Sequence, residues 1–168
     1  MSNYPIQLAE AQHYIVVRKE LNFNSFALIG QILQEDAADL EQLLHKAAIP
    51  IRGPLEMIYQ FADDPHGEDL SDGKFSIHLG FPVDEDSVAP PGYERIHSPA
   101  YHYIAHRCVW PPYEFGWMQL RESADRHGYS RSLQEREVHL KLKSLGDNEN
   151  CLECRLVLEA SCVAQASS

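Results

Sequence analysis

The sequence predicts an α+β domain made of two βαββ pseudo-repeats, whose antiparallel sheets surround a central ligand cleft with the helices on the outside. Three observations carry this prediction. The segment His13-Tyr14-Ile15-Val16-Val17-Arg18 returns as His102-Tyr103-Ile104-Ala105-His106-Arg107, an offset of 89 residues, and both copies are β-branched and aromatic enough to be strands. Each copy is followed by the same succession: a helix-period segment, a turn and two alternating strands. The composition, 44% hydrophobic and 23% charged over 168 residues, is that of an ordinary globular chain able to bury roughly 68–70% of its unfolded surface in one domain. The halves, roughly 8–83 and 92–160, are therefore read as parts of a single domain spanning 1–168.

The first strand begins near residue 8. Phe26, Ile29, Leu33, Ala37, Leu40, Leu44 and Ala47 then recur at spacings of three and four, the stripe of an amphipathic helix that Asn24 or Ser25 caps and Ile49-Pro50 ends. After the Arg52-Gly53-Pro54 turn, Leu55 to Phe61 and Phe75 to Val83 read as a hairpin around the polar loop Ala62 to Gly73. Asp84 to Gly92 has linker composition but is too short to separate domains. In the second half, Tyr93 to Cys108 is a long strand broken at Pro99. Pro112 starts a helix carrying Phe115, Met118 and Ala124, with Gly128 at its C-terminal end. Strands Leu133 to Leu142 and Leu152 to Ala160, joined by the Gly146-Asp147-Asn148 turn, close the half, and Ala164 to Ser168 reads as a frayed tail. On the first strand after each helix, Met57 corresponds to Glu137 and Tyr59 to His139. That offset is 80, so the second helix region is the shorter.

With 14 basic against 25 acidic residues the chain carries a net charge of −11, which removes the electrostatic drive for gripping nucleic acid and favours cationic partners. No apolar run approaches the roughly 18 residues of a spanning helix, and Met1 to Gln12 lacks a basic flank or an apolar core. A soluble cytoplasmic protein is expected. Cys108, Cys151, Cys154 and Cys162 are read as thiols, because a chain of this size builds its own core. Zinc needs two ligand pairs and only one CxxC exists. In a strand, Cys151 and Cys154 point to opposite faces, Cys154 joining Leu152, Leu156 and Leu158 on the core side. No metal or cofactor is expected, and His102 and His106, which share a strand face, are read as ordinary partly buried histidines.

Period-two alternation puts Val138, Leu140 and Leu142 on one strand face, expected to pack on the helices, and Glu135, Glu137, His139 and Lys141 on the other. The matching face of the first half carries Leu55, Met57, Tyr59 and Phe61. A row so apolar is not left bare in water, and from this the cleft between the halves is predicted. Tyr101, Tyr103, Trp110, Tyr113, Phe115 and Trp117 crowd into seventeen residues. Phe115 is read as core, Trp110 as a lid at the strand-to-helix corner. The candidate ligand-binding residues are Glu137, His139, Met57, Tyr59, Tyr101, Tyr103, Trp110 and Tyr113.

From about Leu8 to Ala160 the chain resembles the GyrI-like, or effector-binding, domains with their SOUL-like fold. The resemblance rests on Gly53-Pro54 followed by Tyr59, and on the closing strand Ile77-His78-Leu79-Gly80-Phe81-Pro82-Val83. It rests further on Pro111-Pro112-Tyr113 with Trp117 and Leu120, and on Arg136-Glu137-Val138-His139. Two departures stand out: His139 replaces the family's Tyr, and Pro111 the usual Gly. The resemblance implies a small-molecule cleft with aromatic walls and a Glu, here Glu137, on its floor, suited to lipophilic cationic or aromatic compounds. It implies a multidrug sensor-like module of transcription regulation. This chain has no room for a helix-turn-helix ahead of the domain, so a stand-alone binder without direct nucleic-acid contact is expected. Two alternatives come with the family: hydrolysis of strained cyclopropane-containing genotoxins, with Glu137 as the catalytic base and His139 sharing its water, and a protein-interaction role such as gyrase inhibition.

Overall fold

The computed structural model describes residues 4–22, 29–61, 74–109, 114–140 and 151–160. In chain order these form β1 (Gln7–Ala9), β2 (Gln12–Asn22), α1 (Ile29–Lys46), β3 (Glu56–Phe61), β4 (Lys74–Val83), β5 (Glu94–Ser98), β6 (Tyr101–Val109), α2 (Glu114–His127), β7 (Arg131–His139) and β8 (Cys151–Leu158). The architecture is α+β with antiparallel strand pairs, as expected. The chain divides into two compact units: a continuous one, Gln12–Ser98, and a composite one, Met1–Ala11 with Pro99–Ser168.

The continuous unit orders its strands β3-β4-β2-β5. Met57 stands opposite Leu79 and Leu79 opposite Val17, so these three share one face of the sheet. Met57, Tyr59, Phe61, Phe75, Ile77 and Leu79 on that face pack against Ala37, Leu40 and Leu44 of α1, the buried part of the helical stripe read from the sequence. The helix ends in a Schellman motif. Ile49 N–H donates to the Leu44 carbonyl at 2.9 Å and Ala48 N–H to that of His45 at 3.1 Å, with Ala48 in the left-handed region at φ 56°. Pro50 then prevents continuation. Gly80 fits β4 closely to β2, since a Cβ there would lie 2.0 Å from the Ile15 carbonyl oxygen.

The composite unit repeats this order as β7-β8-β6-β1. Here Glu137 stands opposite Cys154 and Cys154 opposite His106. Cys154, Leu156, Leu158 and Ile104 pack on Trp117, Leu120 and Ala124 of α2. Gly128, at φ 71°, closes α2 as the sequence indicates, with Tyr129 N–H donating to the Ala124 carbonyl at 2.9 Å.

Two features differ from the sequence reading. The units are cut at 11/12 and 98/99 rather than at the 84–92 linker, because each outermost strand has exchanged places: β1 precedes β2 in the chain but pairs with β6, and β5 precedes β6 but pairs with β2. Pro99 marks the second crossing, the break expected in the long 93–108 strand. The other difference is at β7, which begins at Arg131 and carries a register irregularity between Arg131 and Glu135. The caps Asn24 and Ser25, Phe26, the 62–73 loop, Pro112, Leu142, the Gly146-Asp147-Asn148 turn, Cys162 and the 164–168 tail lie outside the described residues, as do the side chains of Ile29, Leu33, Cys108, Phe115 and Cys151.

Candidate functional site

Strand β7 concentrates ionisable groups where a sheet normally buries apolar ones. Glu135, Glu137 and His139 are 4%, 6% and 8% exposed, and their alternation puts all three on one face. Across the ladder they stand opposite Leu156, Cys154 and Leu152, and Leu156 and Cys154 pack on α2. The acidic face of β7 is therefore the helix side. This corrects the expectation that Val138 marks the face packed on helices: Val138 stands opposite Glu153 on the other side. The strand's own alternation could not decide between its two faces. The register against β8 does.

A charge buried this deeply costs several kcal/mol unless it is paired. Glu135 is compensated by Arg121 of α2, whose guanidinium donates two hydrogen bonds to its carboxylate at 2.6 and 3.0 Å. Glu137 lies 3.9 Å through Oε2 from Nε2 of His139. That imidazole supplies no countercharge at neutral pH, because burial lowers its pKa from 6.5 to about 4. Its Nε2 has no hydrogen-bond partner among the described residues. In the same cross-strand row, His106 Nδ1 pairs with the Tyr4 hydroxyl at 2.7 Å, and that hydroxyl also meets Gln119 Oε1 at 3.0 Å. Cys154 is fully buried on the core side of its strand, as the odd CxxC spacing led us to expect. Among the described residues no group of three or more His, Cys, Asp or Glu side chains is arranged to hold a metal ion, and no helix is long and apolar enough to cross a membrane.

The other candidates fall into three groups. Met57 and Tyr59 are buried on the helix side of β3, Tyr59 ring-stacked with Phe61 at 6.2 Å. Tyr101 and Tyr103 lie on the face of β6 away from Glu137: His106 shares Glu137's row, and Tyr103 is an odd number of residues from it. Trp110 and Tyr113 lie outside the described residues.

What sequence reasoning missed is the partner of those tyrosines. The Arg136 guanidinium sits 4.0 Å from the Tyr101 ring centroid and that of Arg155 4.4 Å from the Tyr103 ring. Arg155 also donates to the Tyr101 hydroxyl at 2.9 Å and to Glu153 at 2.6 Å. These cation–π contacts form a stitched, self-satisfied layer on the second face. The signal available in the sequence was the alternation Arg136 and Val138 against Glu135 and Glu137.

No family model matches the chain, and no curated protein matches it in sequence. Solved structures do match its fold over nearly its whole length. SAV2435, solved bound to tetraphenylphosphonium, aligns over 95% of this chain and 96% of its own, with a TM-score of 0.60 at 13% identity. The EcmrR C-terminal domain aligns over 93% of this chain and 98% of its own, with a TM-score of 0.61 at 17% identity. In the EcmrR–DNA complex the match spans 57% of the longer EcmrR chain. A hydrolase from Listeria innocua aligns over 92% of this chain and 91% of its own, with a TM-score of 0.51 at 10% identity. The fold that the Gly53-Pro54, Tyr59 and Arg136-Glu137-Val138 motifs led us to expect is the one the chain adopts: that of the GyrI-like effector-binding domains.

Proposed function

We propose that the protein binds lipophilic aromatic cations and that Glu137 is their countercharge. The observation carrying this reading is the Glu137 carboxylate, 6% exposed on the helix side of its sheet, facing an imidazole that stays neutral at pH 7. A site of this kind takes a cation whose charge offsets the carboxylate and whose rings replace water against apolar walls. The tetraphenylphosphonium held by the structurally similar SAV2435 supports the choice of ligand class. Tyr101 and Tyr103 are left to the arginine layer. We also infer that the two units descend from one βαββ element, since their strand orders and cross-strand registers repeat.

Titration of a rhodamine dye by fluorescence anisotropy, followed by displacement with tetraphenylphosphonium, tests the reading. Binding near micromolar, about −8 kcal/mol, is expected for the wild type. Glu137→Gln should weaken the cation roughly 30-fold, about 2 kcal/mol, while a neutral aromatic of similar size binds both proteins alike. Equal cation affinities for the two proteins would remove Glu137 as the countercharge.

A second reading, hydrolysis of a strained electrophile, is favoured by the 3.9 Å between Glu137 Oε2 and His139 Nε2, a gap that a single water spans while donating to the carboxylate. In that case Glu137 takes the water's proton as its oxygen bonds to a cyclopropane carbon, the strained C–C bond breaks and its electron pair passes into the ligand's conjugated acceptor. Loss of a cyclopropane-containing alkylator, followed by absorbance, should then be catalytic in the wild type and absent in Glu137→Gln. A rate no faster than buffer across a panel of such compounds leaves the binding role alone.

A further inference from the structure

The residue that sharpens the ligand class is His139, and the argument rests on the cation-binding reading above. A buried imidazole nitrogen without a partner is costly, of order 1–3 kcal/mol, and buried polar atoms in folded proteins are almost always satisfied. His139 Nε2 is one of two such exceptions among the described residues, the other being Asp36 Oδ2: His139 is 8% exposed and the nitrogen has no hydrogen-bond partner. Beside it, at 3.9 Å, is a carboxylate oxygen of Glu137. Had Nε2 carried the proton, it would be drawn to that oxygen at about 2.8 Å. The gap suits two acceptors facing the same space, with the imidazole proton on Nδ1.

Two acceptors 3.9 Å apart are bridged by one nitrogen that carries two N–H groups, lying about 2.8–3.0 Å from each. Tetraphenylphosphonium and quaternary ammonium ions bring positive charge to the carboxylate but have no N–H to donate to Nε2. We propose that the preferred ligands are aromatic cations bearing N–H groups, ammonium, iminium or amidinium, in which one N–H is donated to Glu137 Oε2 and another to His139 Nε2. His139 is then the specificity-determining residue of the site, selecting among cations that Glu137 alone would accept equally. Leu152, opposite His139 in the ladder and 2% exposed, offers no competing donor.

The matched dyes pararosaniline and crystal violet test this, because they share one triaryl cation and differ in that the amino groups of the second are fully methylated. Wild-type protein should bind pararosaniline at least ~10-fold more tightly, the worth of one hydrogen bond to a buried acceptor. His139→Phe should bring the ratio close to one. His139→Met serves as a second variant should the phenyl ring not be accommodated. On 15N-labelled wild type, the Nε2 resonance of His139 should move on adding pararosaniline and stay in place on adding crystal violet. A wild-type ratio near one, a ratio unchanged in both variants, or an Nε2 resonance indifferent to pararosaniline overturns the proposal. If crystal violet binds and depends on Glu137 while the ratio is near one, only the role of His139 falls. If neither dye binds, or Glu137→Gln changes nothing, the cation-binding reading falls with it.

Discussion

Strands β3 and β7 occupy the same place in their own units and have opposite chemistry. Met57 stands in a row with Leu79 and Val17, Glu137 in a row with Cys154 and His106, and each strand turns that side toward its unit's helix. On β3 the side is Met57, Tyr59 and Phe61, an apolar row that makes stability. On β7 it is Glu135, Glu137 and His139, with Glu135 bonded to Arg121. A sheet that can be filled with apolar side chains in one unit has no folding need for buried carboxylates in the other. The cation site proposed above would account for the difference between the strands, with β7 carrying it at a cost in stability.

The comparison breaks most directly by exchanging the residues. Met57→Glu places a charge among Leu79, Tyr59 and the α1 stripe, all buried and apolar. It should lower the unfolding free energy by about 3–5 kcal/mol, read from urea denaturation. A cost under about 1 kcal/mol would show that the β3 face tolerates what β7 carries.

Acid should separate the strands next. The folded pKa of His139, about 4, lies below its unfolded value of 6.5, so between these pH values the unfolded chain binds the extra proton. The contribution is complete above about pH 6.5 and is lost as pH falls toward 4, a total of about 3 kcal/mol at 1.36 kcal/mol per unit. His139→Phe should flatten the stability profile across that window. A residual slope of the same sign is expected from His78 on β4, whose pKa is also lowered, first by burial and then by Arg18.

The reverse exchange, Glu137→Met, should end cation binding while changing the unfolding free energy by less than about 3 kcal/mol, measured by thermal shift and dye titration together. A large loss of stability would mean that Glu137 is structural. The smallest effect is expected at Arg52→Ala. The Arg52–Asp84 pair is bidentate at 2.9 and 3.0 Å and holds the Asp84 carboxyl below its ordinary pKa, yet both side chains are exposed. Water and salt screen it, and the melting temperature should not move measurably.

Much of the scaffold was legible because it is written in local terms. The His13 and His102 segments became β2 and β6, the stripe through Ala37, Leu40 and Leu44 became the buried side of α1, and Gly128 became the cap of α2. Each depends on neighbours a few residues away. The identity of Glu137 as a candidate was also legible, through its correspondence with Met57. Its face was not, because the aliphatic run Val138, Leu140, Leu142 pointed helix-ward and only the register against β8 shows otherwise. The Arg121–Glu135 pair and the Arg155–Tyr101 bond span 14 and 54 residues, and no periodicity encodes which arginine meets which carboxylate or ring.

The exchanged edge strands set a timetable for the chain's assembly. The ladders of the continuous unit, β3 with β4, β4 with β2 and β2 with β5, all lie within residues 12–98, so they can close as soon as that stretch has been made. Strand β1 cannot: Gln7 meets Tyr103, a sequence separation of 96 residues that at roughly 5–20 residues per second leaves it without its partner for about 5–20 s of synthesis. An unpaired edge is a template for the wrong neighbour. At three residues, Gln7–Ala9, β1 is short enough to make a poor template during that wait. β1 is made before β2 yet placed only after β6, and its three residues offer little edge for a wrong partner in the meantime.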